Sequence, residues 1–185
     1  MNTTPQDPNE QASALAAFDD AYRAFLAAFA QAPDAALSYV PPGDEYALGA
    51  LPPHLIDPIG RYLAVLDVML ATGFAPIDRS AGPEGAERAA DEARHHALLV
   101  SLRPTGAERQ RLLADLEAAR RSVLARIQKL DEATFTRQAP VIYAAGSDPY
   151  PTSARDILGW LADHYREHEE QVGAILAQWH AEHGA

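Results

Sequence analysis

The sequence predicts an all-α fold made of four main amphipathic helices and one short accessory helix. Four long stretches carry apolar residues at the three- and four-residue spacing of a helix face. No stretch shows the sustained alternation of a strand, a heptad array or a fixed-period repeat. The 185 residues are enough to bury a substantial core, so we expect a single domain over residues 1–185.

The first predicted helix begins near residue 7 and ends before Pro33, which interrupts the helical pattern. Asp7, Pro8 and Glu10 form an N-cap, a first-position proline and a reciprocal acidic residue. Residues 1–6 are polar and are expected to be a flexible tail. One face of this helix is rich in aromatic residues and needs a partner: Leu15, Phe18, Tyr22, Phe25, Leu26 and Phe29.

The second predicted helix has two possible starts, and the choice between them decides the placement of His54. Pro52 and Pro53 could open the helix, whereas Asp57 and Pro58 form an equally good N-cap and first-position pair. With the earlier start, Pro58 clashes with the carbonyl group of His54 and kinks the helix. The body of the helix carries the apolar residues Ile59, Tyr62, Leu63, Leu66, Met69 and Leu70.

Two further helices are predicted between residues 75 and 130. Residues 75–85 are typical of a loop, and Glu87 to Val100 form the short accessory helix, which contains His95 and His96. A capping box from Thr105 to Glu108 then precedes a long helix. Its apolar positions are Leu112, Leu116, Val123, Ile127 and Leu130. Residues 131–151 form a long connection rich in proline and glycine.

The final predicted helix starts at Thr152 or Ser153, with Asp156 completing the cap, and it places two histidines in its apolar stripe. The stripe is formed by Ile157, Leu161, His164, His168, Val172, Ile175 and Trp179. Imidazoles at i and i+4 lie about 40° apart around a helix and roughly 6 Å apart along it, so they could share one cation. Spacing alone leaves two alternatives open, a metal site or a hydrogen-bonded core pair.

Composition narrows the classes of partner and chemistry. Lys and Arg total 15 against 26 Asp and Glu, and the net charge of −11 argues against nucleic acid as a partner. There is no apolar run of the roughly 20 residues needed to cross a membrane, and the first residues lack a signal-peptide core, so we expect a cytoplasmic protein. Without cysteine, any metal must be bound through nitrogen and oxygen, and no cysteine nucleophile exists.

Glu167 is a candidate general base, because residues 164–168 match the H-x-x-E-H pattern of inverted zinc peptidases. The match is weak, since Glu167 stands with Glu169 and Glu170 in an acidic run typical of a solvated helix face. A surface or supporting role is therefore favoured. His180 and His183 are also interpreted as surface residues.

Several of these features resemble the DinB or YfiT-like family, whose members are four-helix bundles that bind a divalent metal through three histidines. The segment DHYREH at residues 163–168 resembles the H-x-x-x-H pair on the last bundle helix of the family. His54 and Leu55 resemble the His-Leu that opens its second helix. The resemblance implies an up-down-down-up bundle with the metal ligands His54, His164 and His168. Tyr46 stands where the family often has a tryptophan, which implies a differently lined pocket.

The resemblance also implies a function. The metal would be zinc or nickel, and it could lower the pKa of a water or thiol. Members of the family look like hydrolases, or like S-transferases that activate bacillithiol or mycothiol. Because this chain has no cysteine, a thiol transferase would need such a thiol as an external cosubstrate. The substrate is expected to be a small molecule. The chain is also expected to be able to form a homodimer. His95 and His96 are reserve ligands, of which at most one could reach the metal. The alternative is a non-catalytic helical bundle whose histidines serve stability, pH sensing or dimerisation.

Overall fold

The computed structural model describes residues 10–184, which form six α-helices and a small three-stranded sheet. The helices are α1 (Glu10–Ala30), α2 (Leu51–Ala71), α3 (Gly82–Ser101), α4 (Arg109–Ile127), α5 (Glu132–Thr136) and α6 (Ala154–His183). The strands are β1 (Ile77–Asp78), β2 (Ala139–Ile142) and β3 (Tyr150–Thr152). The predicted helical bundle is confirmed. The predicted tail at residues 1–6 and the predicted cap at Asp7 and Pro8 lie outside the described residues.

Helix α1 packs mainly against α6, which provides the partner that its aromatic face requires. The buried residues of α1 are Phe18, Ala21, Tyr22, Phe25 and Phe29. Tyr165 of α6 lies among them, with its ring centroid 5.7 Å from that of Phe18 and 5.6 Å from that of Tyr22. Helix α2 packs against both α4 and α6, so α6 contacts two of the other main helices.

Helix α2 begins at Leu51, so the earlier of the two possible starts is the correct one. Pro52 and Pro53 occupy the first turn, where a missing N–H group costs no intrahelical hydrogen bond. Pro58 lies inside the helix without ending it, and it leaves the His54 carbonyl without the donor that another residue would supply. His54 therefore belongs to the first turn of a continuous helix.

Helix α3 is longer than the accessory helix predicted from the sequence. It starts at Gly82, so the loop predicted for residues 82–85 is wrong, and Pro83 lies in its first turn, where proline is favoured. Gly85 and Leu99 are its buried residues. With so few buried residues, α3 adds little to the core.

The small sheet was not predicted. Its order is β1-β2-β3, with β1 parallel to β2 and β2 antiparallel to β3. Pro140 of β2 stands opposite Pro151 of β3. The backbone N–H of Arg79, directly after β1, donates to the carbonyl oxygen of Ile142 at 2.9 Å. The sheet thereby ties the segment before α3 to the long connection before α6.

Helix α6 starts as predicted, with Ser153 as its N-cap. The backbone N–H of Ser153 donates to the Asp156 carboxylate at 2.9 Å, and the N–H of Asp156 donates to the Ser153 hydroxyl at 3.2 Å. The five apolar residues of the predicted stripe are buried: Ile157, Leu161, Val172, Ile175 and Trp179. Although α6 spans 30 residues, none of the helices in the described part of the chain has the length and hydropathy needed to cross a membrane.

Candidate metal centre

Helices α2 and α6 bring His54, His164 and His168 together. Nε2 of His164 lies 3.2 Å from Nε2 of His54 and 2.9 Å from Nε2 of His168. One nitrogen from each ring lies within 4.8 Å of the others, and all three side chains are partly buried. The same nitrogen of each ring is thus directed at a common point. The three ligands suggested by the sequence form one cluster, and their binding of a metal stays a prediction.

Gln171 fixes the orientation of His168. Its side-chain oxygen lies 2.6 Å from Nδ1 of His168, one turn further along α6. Because an amide oxygen can only accept a hydrogen bond, Nδ1 carries the proton, and Nε2 keeps its lone pair for the cluster. Histidines that bind metals are commonly held in this way through their second nitrogen. Gln171 was not predicted from the sequence, although its i+3 spacing from His168 was a usable signal.

Burial keeps the three imidazoles neutral. It is the main cause that lowers the pKa of His54 to about 4 and that of His164 to about 3, and repulsion from a protonated His168 is the next cause in both cases. The pKa of His168 is also lowered by burial, although its hydrogen bond with Gln171 opposes the change. A metal ion needs unprotonated imidazoles, so the cluster is in the state that binds metal at neutral pH.

Tyr46 packs directly on the cluster. Its ring centroid lies 4.8 Å from that of His54, with the rings inclined by 33°, and its hydroxyl group lies 3.0 Å from Nδ1 of His96. Burial raises the pKa of Tyr46, which keeps the phenol neutral. Tyr46 thus forms a wall beside His54.

The other histidines lie apart from the cluster. Nε2 of His95 is 3.8 Å from an Asp57 carboxylate oxygen, and Nε2 of His96 is 3.7 Å from one of Glu45. Neither ring belongs to the group of possible metal ligands among the described residues, so the structure does not use these reserve ligands. His180 and His183 are exposed near the end of α6, as predicted.

A cavity of about 440 Å³ opens beside the cluster, and both His54 and His164 line it. Its other lining residues are Pro58, Arg61, Tyr62, Trp160, Leu161, Asp163 and Glu167. The exposed Glu167 therefore lies at the wall of this cavity. Trp160 stands one turn before His164, a spacing that could have identified it from the sequence.

Aromatic side chains extend the cavity away from the histidines. Tyr62 and Trp160 also line a second cavity of about 520 Å³, together with Tyr143, Ser147, Asp148 and Tyr150. The ring centroids of Tyr62, Tyr143 and Tyr150 lie 5.4, 6.2 and 5.7 Å from that of Trp160. Tyr62 and Trp160 belong to the walls of both cavities, and these aromatic walls suit a small molecule with a planar or apolar part.

Comparison with known proteins gave one result. The model of the DinB superfamily matches residues 17–172, a range that contains the three clustered histidines and nearly the whole bundle. Neither the curated proteins nor the solved structures gave a match.

Proposed function

Because this chain belongs to the DinB superfamily, we propose that it is a metal-dependent enzyme that acts on a small molecule through a zinc or nickel ion held by His54, His164 and His168. The observation that carries the proposal is the convergence of the three Nε2 atoms beside an open cavity. Nitrogen ligands suit both metals, and a site with three protein ligands leaves a position for water or substrate. A bound ion would lower the pKa of a water or a thiol that reaches it.

The residues around the cluster have separable tasks in this proposal. Gln171 holds the His168 ring, and Tyr46 limits the movement of the His54 ring. Tyr62 and Trp160 bind the apolar part of the substrate. Glu167 lines the cavity wall and is the candidate to accept the proton that the nucleophile loses.

The nucleophile defines the reaction class. Since the chain has no cysteine, an S-transferase must take a low-molecular-weight thiol as cosubstrate. The thiol loses its proton, its sulfur forms a bond to an electrophilic carbon of the substrate, and the leaving group departs with its bonding electrons. In a hydrolase, water takes the place of the thiol and the same groups serve.

The test uses untagged protein that has been stripped with a chelator and reloaded with zinc or nickel. A transferase should conjugate 1-chloro-2,4-dinitrobenzene with cysteine, bacillithiol or mycothiol and should leave it unchanged without a thiol. A hydrolase should cleave p-nitrophenyl acetate without a thiol. The activity should require the metal, disappear in a His164→Ala, His168→Ala double variant and persist in His180→Ala, an exposed histidine on the same helix. If reloaded and stripped protein are equally inactive in both assays, the non-catalytic bundle becomes the better account.

A further inference from the structure

Arg79 is a partly buried arginine whose charge has no carboxylate partner in the described part of the chain. Its guanidinium carbon lies 5.9 Å from the ring centroid of Tyr143, and none of the ion pairs or side-chain hydrogen bonds of residues 10–184 uses its guanidinium group. Other arginines with little exposure are paired, for example Arg109 with Asp34 at 2.9 Å. An unpaired, partly buried cation is costly, so an anionic partner from outside the chain would stabilise it.

The charged neighbours of Arg79 leave its cation available. Glu92 is the carboxylate that acts on Arg79 most strongly, but it pairs with Arg61 at 3.4 Å, and Arg61 also pairs with Asp57 at 2.5 Å. Arg88 donates a hydrogen bond to the backbone oxygen of Arg79, which holds a second cation close by. Burial, and after it the charge of Arg88, lowers the pKa of Arg79, although an arginine remains charged in a protein.

Arg79 lines a cavity next to the one that the histidine cluster lines. One cavity of about 240 Å³ is lined by Arg79 and Tyr143 and also by Pro58, Arg61 and Tyr62, which line the histidine cavity as well. Arg79 and Arg88 both line a further cavity of about 400 Å³. The cavity lined by Arg79 therefore adjoins the histidine cavity, with Pro58, Arg61 and Tyr62 common to the walls of both.

We propose that Arg79, assisted by Arg88, binds an oxyanion of the small molecule, either a carboxylate or a phosphate group. The two N–H groups along one edge of a guanidinium match the two oxygens of either anion. The chain carries a net charge of −11, so an anion is repelled by most of the surface and is attracted to this local pair of cations. The identification of this anion as part of the substrate rests on the function proposed above, whereas the anion site itself does not.

The test is calorimetric titration of the protein with inorganic phosphate and, separately, with succinate, at constant ionic strength. We expect millimolar binding of at least one anion by zinc-loaded protein and by chelator-stripped protein. Arg79→Gln should weaken it at least tenfold, and Arg79→Lys, which keeps the charge but loses the planar fork, should weaken it less. The anion that binds more tightly identifies the oxyanion as carboxylate or phosphate.

The matched control is Arg94→Gln, which removes one charge from an exposed arginine of α3 that lines none of these cavities. It should bind the anions as tightly as wild type. The proposal is overturned if wild type does not bind either anion, or if a folded Arg79→Gln binds them as tightly as wild type. It is also overturned if Arg94→Gln loses as much affinity as Arg79→Gln does. If Arg79→Gln does not fold, the test uses Arg79→Lys and Arg88→Gln. The proposal is overturned if both of these variants bind the anions as tightly as wild type. Zinc content, measured in the same samples, tests the proposed function separately.

Discussion

The side-chain oxygen of Gln171 lies 2.6 Å from Nδ1 of His168, while Nε2 of the same ring lies 2.9 Å from Nε2 of His164. The two nitrogens of the His168 ring therefore make different interactions: Nδ1 contacts Gln171, and Nε2 belongs to the histidine cluster. The hydrogen bond with Gln171 determines which nitrogen keeps a lone pair, and the position of the ring on α6 determines where that lone pair is directed.

Replacing Gln171 with leucine should weaken zinc binding without abolishing it. The loss should be about 10- to 100-fold, as is typical when a residue that orients a metal-binding histidine is removed. The measurement is competition with a chromogenic chelator of known zinc affinity. Gln178→Leu provides the control, because Gln178 is exposed on the same helix. Equal affinities for Gln171→Leu and wild type would show that the hydrogen bond does not support the site.

Among the histidines that precede α4, His54 should be the one that matters for metal binding. His54→Ala should lower the zinc affinity by more than about 100-fold, beyond the range typical of a residue outside the ligand set. His95→Ala should have little effect, because that ring lies beside Asp57 rather than in the cluster. The same competition assay applies to both variants. A larger loss in His95→Ala than in His54→Ala would mean that the ligands are assigned wrongly.

The metal-free protein should lose stability as the pH falls from about 6.5 to about 4. Burial lowers the pKa of His54 to about 4 and that of His164 to about 3, whereas the unfolded chain binds these protons near pH 6.5. Protons therefore bind the unfolded state first, so the free energy of unfolding is unaffected above pH 6.5 and decreases through that window.

Urea unfolding at pH 7.5 and pH 4.5 measures this loss after chelation. A His54→Asn, His164→Asn double variant is the reference, since it lacks both titrating rings while the carboxylates that also titrate remain. Wild type should lose more stability between the two pH values than the double variant does. Equal losses would contradict the assignment of buried, neutral imidazoles.

Tyr165→Phe should leave the free energy of unfolding unchanged or raise it by up to about 1 kcal/mol. The Tyr165 hydroxyl is buried and has no hydrogen-bond partner among the described residues, so its removal costs no bond. Tyr22→Phe is the matched comparison, because burial and a hydrogen bond to Glu117 both raise the pKa of Tyr22. That variant should lower the free energy of unfolding by about 1 kcal/mol. Thermal or urea unfolding distinguishes the two, and a clear loss in Tyr165→Phe would contradict the account.

The sequence predicted most of the helical bundle because its signals are local. The period of the apolar residues and the Ser153 cap define α6, and the same period places His164 and His168 on one face. The strands escaped prediction because they contain two to four residues, too few for alternation, and because Pro140 and Pro151 are typical of loops. The start of α3 was missed because Gly82 and Gly85 favour a loop locally.

The site required contacts between residues that are distant in the sequence. His54 was assigned as a metal ligand by resemblance, because local signals did not distinguish the two possible starts of the second helix. The packing of Tyr46 on His54 and the position of Arg79 in a cavity next to the histidines depend on how loops and the small sheet are placed on the bundle. No periodicity within one segment carries that information. The local partner Gln171, in contrast, was detectable from its spacing.

The most direct test of the central claim is the metal content of untagged protein, measured by elemental analysis after exposure to zinc or nickel and removal of free ions. We expect one tightly bound ion per chain in wild type and in His180→Ala, and none in the His164→Ala, His168→Ala double variant. Wild-type protein that retains no more metal than the double variant would contradict the claim that His54, His164 and His168 form a metal centre.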